Sequence, residues 1–141
     1  MKVVDANVLL YAVNTDARHH ERSRTWLDGA LSGGDTVGFS WLALLAFVRL
    51  STKVGLFPTP LSTSEAFNRV DAWVSAGSAI VIEPTSSHGR IVRMLLEQSG
   101  TGGNLVNDAH LAALAVEYRG DVVSFDNDFS RFDGVRWMEP R

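Results

Sequence analysis

The sequence predicts an α/β protein, a three-layer α/β/α fold around a central, mainly parallel sheet of four or five short strands. Three observations carry that reading. Short apolar runs near residues 1–5, 37–40, 79–83, 121–126 and 136–138 alternate with longer stretches of helical periodicity, the pattern of successive βα units. Serine, asparagine, glycine and proline fall between the runs, where caps and turns are needed. No repeat or low-complexity linker interrupts the 141 residues, so residues 1–141 read as one domain, long enough to bury a core without staples.

Taken in order, residues 1–5 form a buried strand that ends in a carboxylate, Asp5. Asn7 then either turns its side chain back toward Asp5 or caps a short helix over 8–13. His19-His20-Glu21-Arg22 opens a helix that runs to Leu31, before Ser32-Gly33-Gly34. Adjacent helical residues do not face one another, so the two histidines read as a solvated first turn rather than a ligand pair. Residues 37–40 are the second strand, and Ser40 is placed to cap the apolar helix Trp41–Thr52. Arg49 in that helix is either an exposed face residue or a positive group beside a site, a possible substrate contact. Pro58 and Pro60 make 55–60 a loop, exposed and apolar enough to meet a partner.

Ser62 and Glu65 form a capping box for a helix reaching Gly77, with Phe67, Val70 and Trp73 packed into the core. Residues 79–83 are a third strand closed by Pro84, and Ser87 starts a helix through Arg90, Arg93 and Leu96. A glycine loop, 99–103, feeds the central helix, which Asn104 caps and Gly120 stops at the C′ position. That helix is apolar nearly all round and is therefore expected deep in the fold. Residues 121–126 repeat the first strand's design, ending in Asp126, and 136–138 make the last strand.

Composition closes off several chemistries. With no cysteine, disulfides, thiolate catalysis and Cys-ligated zinc are excluded. The Gly-x-Ser-x-Gly elbow fails at Leu42, the dinucleotide glycine pattern fails at Leu105, and no Gly-Lys-Ser/Thr follows the glycine loop. Charges break every long apolar stretch, which predicts no membrane contact and a cytoplasmic setting. The formal net charge of −3 confines any nucleic-acid groove to a local patch, and 11 of the 13 basic residues are arginine, the side chain suited to bidentate phosphate contact.

The chemistry is carried by carboxylates. Asp108 lies in the first turns of the central helix, on one face with Leu111, Ala112 and Ala115, so its carboxylate heads the inward face. Two strands of a parallel sheet ending in Asp5 and Asp126 would meet it in the crevice at the strands' carboxyl ends. Three such groups repel one another unless a cation lies between them, and oxygen-only donors favour Mg²⁺ or Mn²⁺. Glu83, also at a strand end, is a lesser candidate.

Four segments together resemble the PIN domain ribonucleases, most closely the VapC toxins of bacterial toxin–antitoxin pairs. They are Val4-Asp5-Ala6-Asn7-Val8-Leu9, the stretch from Ser40 to Arg49, Asn107-Asp108-Ala109-His110-Leu111-Ala112, and Ser124-Phe125-Asp126-Asn127-Asp128-Phe129. The resemblance implies a Mg²⁺- or Mn²⁺-dependent endoribonuclease with Asp5, Asp108 and Asp126 as catalytic metal ligands. Asn7, Asp128 and Ser40 would support them. It also implies an RNA substrate, a small cognate antitoxin and a homodimer. One position departs from the family pattern: a glutamate usually precedes the Phe-x-Arg of the middle block, and here Ala46 stands there. Two rival readings follow. One is a PIN-fold binding module without activity. The other is an aspartyl-nucleophile phosphatase, which would want a second Asp where Asn7 stands.

Overall fold

A computed structural model describes residues Met1–Arg141. Five strands form one sheet: β1 (Lys2–Val4), β2 (Val37–Phe39), β3 (Ala79–Val81), β4 (Asp121–Val123) and β5 (Trp137–Met138). Their order is β3-β2-β1-β4-β5 and every pairing is parallel, so each connection crosses over outside the sheet. The crossovers are helices α1 (Ala6–Val13), α2 (His20–Leu31), α3 (Trp41–Thr52), α4 (Thr63–Val74), α5 (His88–Ser99) and α6 (Leu105–Glu117), with a 3₁₀ turn at Asn127–Arg131 before β5. The expected three-layer α/β/α architecture with a parallel sheet is therefore the one observed.

The strands alternate side chains between two cores. Val4, Val123, Val37 and Phe39 pack on one face with Leu9, Leu27, Phe47 and Trp73 of α1–α4, and Val3 and Val122 pack on the other with α5, α6, Phe129 and Phe132. Central strands buried on both faces need valine at consecutive positions, which explains why the runs are apolar rather than alternating. α6 buries Leu105, Ala109 and the whole run from Leu111 to Ala115, and its alanines let it lie close to the sheet.

Several local expectations are corrected. Asn104 precedes α6 but makes no capping bond; the first turn is closed by Leu105 and Val106 amides donating to the Gly102 and Gly103 carbonyls. The left-handed residue after α6 is Arg119, at φ 55°, and the Gly120 amide donates back to the Ala115 carbonyl at 2.8 Å. Gly120 is needed for a different reason, since a Cβ there would sit 2.9 Å from the Met1 carbonyl oxygen. The capping box at Ser62 and Glu65 forms, but Phe67 faces solvent. Ala66, Val70 and Trp73, spaced by four and three, hold the buried stripe instead. Phe57 in the 55–60 loop is buried in the core, which leaves Leu56 as its exposed apolar side chain. His19 and His20 are half-buried rather than freely solvated: the His19 ring stacks on Phe125 at 4.5 Å, and His20 Nδ1 lies 2.8 Å from the Tyr11 carbonyl oxygen.

Candidate active site

Chain order reverses between β1 and β4. The sheet runs from β1 outward to β2 and β3, then returns on the other side of β1 to β4 and β5. Such a switch point opens a crevice at the strands' carboxyl ends. Asp5 immediately follows β1 there. Its Oδ1 accepts the Ala6 amide at 2.7 Å, which makes Asp5 the N-cap of α1. Its Oδ2 accepts the Ser124 hydroxyl at 2.7 Å and Asn7 Nδ2 at 3.2 Å. Asn7 thus turns back toward Asp5, and its Oδ1 accepts the Phe125 amide at 3.2 Å.

Ser124, fully buried just beyond β4, is the hub that the sequence did not single out. While donating to Asp5, its Oγ accepts Asn7 Nδ2 at 3.0 Å and the Asp126 amide at 2.9 Å. One hydroxyl thereby ties the ends of β1 and β4 together. The only trace of this in the chain is a serine two residues before Asp126. Asp126 in turn caps the 3₁₀ turn, its Oδ1 accepting the Asp128 amide at 2.9 Å. That bond folds the chain back so that Asp128 faces the same way.

One carboxylate oxygen from each of Asp108, Asp126 and Asp128 lies within 4.8 Å of the others. Asp128, expected in a supporting place, is therefore inside the tight cluster, while Asp5 stands beside it with its oxygens engaged by Ala6, Ser124 and Asn7. Burial, then repulsion from Asp126, Asp5 and Asp128, pushes Asp108 from 3.8 up to about 7. Asp5 is also raised, chiefly by burial; the Ser124 and Ala6 hydrogen bonds restrain the rise and Asp126 adds to it. Four carboxylates gathered at one crevice, with Asp5 and Asp108 hindered in their ionisation, oxygen donors alone and access to solvent, fit a hard divalent cation such as Mg²⁺ or Mn²⁺.

Asp5 and Asp108 open on a cavity of ≈ 170 Å³, which Asn107 of α6 and Ala46 and Arg49 of α3 also line. Arg49 is thus beside the site, and it forms no ion pair with any carboxylate of the chain. Position 46 faces the same space, one α3 turn from Arg49. Ser40 is buried, and its hydroxyl is taken up by the α3 cap, accepting the Ala43 amide at 3.1 Å. It positions α3 rather than entering the cavity. Glu83 is exposed beyond the edge strand β3, where its backbone meets the Tyr118 hydroxyl, and it stands outside the cluster.

Comparison with known proteins bears on the family and the fold. The PIN domain family model matches residues 2–135. The chain is 62% identical over 140 residues to ribonuclease VapC37 of Mycobacterium tuberculosis, covering 99% of this chain and 97% of that protein. It is 34% identical to ribonuclease VapC33 of the same species, covering 99% and 98%. Among solved structures it resembles the VapBC2 complex of Rickettsia felis bound to a promoter DNA fragment, with TM-score 0.72, 19% identity and 98% and 97% coverage. It also resembles VapC20 of M. tuberculosis, a toxin that cleaves the Sarcin-Ricin loop, with TM-score 0.69, 18% identity and 96% and 99% coverage. At these identities the structural matches speak for the fold.

Proposed function

The chain belongs to the PIN domain family, in its VapC branch, and from that premise we propose that it is a divalent-metal-dependent endoribonuclease, the toxin of a toxin–antitoxin pair acting in the cytoplasm. The observation that carries the reading is the meeting of Asp108, Asp126 and Asp128 within 4.8 Å, with Asp5 alongside. The identity to proteins named as ribonucleases supports it.

Asp108, Asp126 and Asp128 would hold Mg²⁺ or Mn²⁺, with Asp5 adding charge and, directly or through water, a further oxygen. When bound, such an ion supplies an acidified water for in-line attack on the phosphorus and offsets charge on the departing oxygen. The chain's own residues prepare the site. Ser124 and Asn7 fix the Asp5 carboxylate, so its charge points into the crevice without reorganisation. The Asp128 amide does the same for Asp126. Asp108 carries its proton part of the time near neutral pH and releases it when a cation is held. Arg49, unpaired across the cavity, is placed to donate to a phosphate oxygen of the RNA.

Single-stranded RNA incubated with the purified protein and Mg²⁺ should be cut internally, and EDTA should abolish the cutting. Phosphate monoesters should remain intact. RNA binding without cleavage would favour the inactive binding module. Monoester hydrolysis would favour the aspartyl-nucleophile phosphatase, whose general acid Asn7 cannot replace. The partner of this reading is a small antitoxin, bound to a homodimer of this chain along the groove that Leu56 borders, with a basic side chain against the carboxylates. A protein that stays monomeric at high concentration and ignores the product of its neighbouring gene would overturn the toxin assignment.

A further inference from the structure

The second concentration of titratable groups in the molecule lies between α5 and α6, on the side of α6 away from Asp108. Glu117, almost wholly buried with 2% of its side chain exposed, accepts the Thr85 amide at 2.8 Å and the Thr85 hydroxyl at 2.5 Å on Oε1. Its Oε2 lies 2.5 Å from His88 Nδ1. His88 Nε2 in turn lies 2.8 Å from His110 Nδ1, with the two rings edge to face. Burial pushes Glu117 up, but the bonds from Thr85 and His88 hold it net below the usual carboxylate range, so it is ionised.

An ionised Glu117 fixes the order of protons along this chain of groups. His88 presents Nδ1 to that carboxylate as a donor, and the contact between its Nε2 and His110 Nδ1 is held by one shared proton. Two ring nitrogens thus converge on a single proton, and both rings line an open cavity of ≈ 520 Å³ together with Val92, Leu96, Val106 and the Arg93–Glu97 ion pair. A carboxylate that holds the far nitrogen of a histidine is the outer arrangement of histidine metal ligands, and here the near nitrogen, His88 Nε2, meets a second imidazole nitrogen.

We propose that His88 Nε2 and His110 Nδ1 form a second cation site, of the imidazole-preferring class that includes Zn²⁺, Ni²⁺ and Cu²⁺, with Glu117 as the outer carboxylate. Binding displaces the shared proton to solvent, and the cation takes its place. Zinc–nitrogen bonds of about 2.0–2.1 Å require the two nitrogens to move apart by a few tenths of an ångström, which the edge-to-face rings allow by rotation. Water from the cavity completes the coordination. The site differs in donor chemistry from the carboxylate cluster, since imidazole nitrogen suits these ions and oxygen suits Mg²⁺. It clamps the start of α5 to the middle of α6.

Zn²⁺ alone is the probe, added to the full chain with excess Mg²⁺ present to occupy the carboxylates. One equivalent should shift the imidazole ¹⁵N resonances of His88 and His110 and leave those of His19 and His20 in place. By calorimetry the same affinity should survive in Asp108→Asn, fall at least 10-fold in His88→Ala and His110→Ala, and fall roughly 10- to 100-fold in Glu117→Gln, as for other outer carboxylates. The wild-type resonances answer even if a variant fails to fold. Unmoved His88 and His110 signals would overturn the proposal, as would zinc binding that Asp108→Asn abolishes.

Discussion

Replacing Asp108 by asparagine should stabilise the metal-free protein while removing its activity, and the two effects have one cause. The folded state holds a proton on Asp108 up to about 7, whereas an unfolded aspartate releases it near 3.8. A carboxyl group whose pKa is raised on folding weakens the fold as pH climbs from the lower value to the higher, and the penalty is constant above that window. At about 1.4 kcal/mol per pH unit the ceiling is ~4 kcal/mol. Asp108 is only half-buried, so solvent and salt screening reduce this to about 1–2 kcal/mol. For a domain of this size that is a rise of roughly 3–8 °C in melting temperature. Thermal melts of both forms in EDTA, across pH, make the check. The gain should be present at about pH 8 and absent at about pH 3, below both values. Saturating Mg²⁺ should reverse the ranking, because only the wild type gains ~2.7 kcal/mol at 100-fold excess over its dissociation constant. A variant no more stable than wild type at the higher pH, or equally stabilised at both, would refute the argument that carboxylate crowding is what the cation relieves.

Three other outcomes follow from the same geometry. Ala46→Glu extends a fifth acidic side chain toward the site, into the cavity that Asp5 and Asp108 share, and should tighten Mg²⁺ binding about 10-fold or more and raise cleavage at limiting metal; unchanged affinity by calorimetry would place position 46 off the site. Ser124→Ala removes the donor to Asp5 and the acceptor for Asn7 and the Asp126 amide, so it should lower stability by ~1–3 kcal/mol in denaturant titration and lower kcat more than it raises the KM for RNA. Ser23, fully buried in α2 with no partner for its hydroxyl, should tolerate alanine with a gain of about 0.5–1 kcal/mol, and a loss in the same assay would mean that the hydroxyl is bonded after all.

What the sequence determined by itself was whatever depends on neighbours a few residues apart. The strand runs, the Ser40 and Ser62 caps, the buried face of α6 with Asp108 in its first turn, and the carboxylates of Asp5 and Asp126 beyond their strands all rest on periods of two and 3.6 and on side chains reaching two or three residues along. Motif resemblance added the family, because its blocks stand in order along almost the whole chain. Tertiary structure decided what depends on which strands lie side by side. Ser124 and Asp5 are 119 residues apart, and only the β1–β4 pairing brings that hydroxyl to that carboxylate. Asp128 entered the cluster through a turn capped by Asp126, whose geometry no periodicity encodes. Arg49 is both exposed and beside the cavity, a combination visible only once α3 is packed against α1. His88, His110 and Glu117 lie on two helices whose packing alone joins them, which is why two histidines 22 residues apart gave no sign of belonging together. Local patterns fix each residue's element and face, while long-range contacts depend on sheet order, which a single chain's spacing does not record.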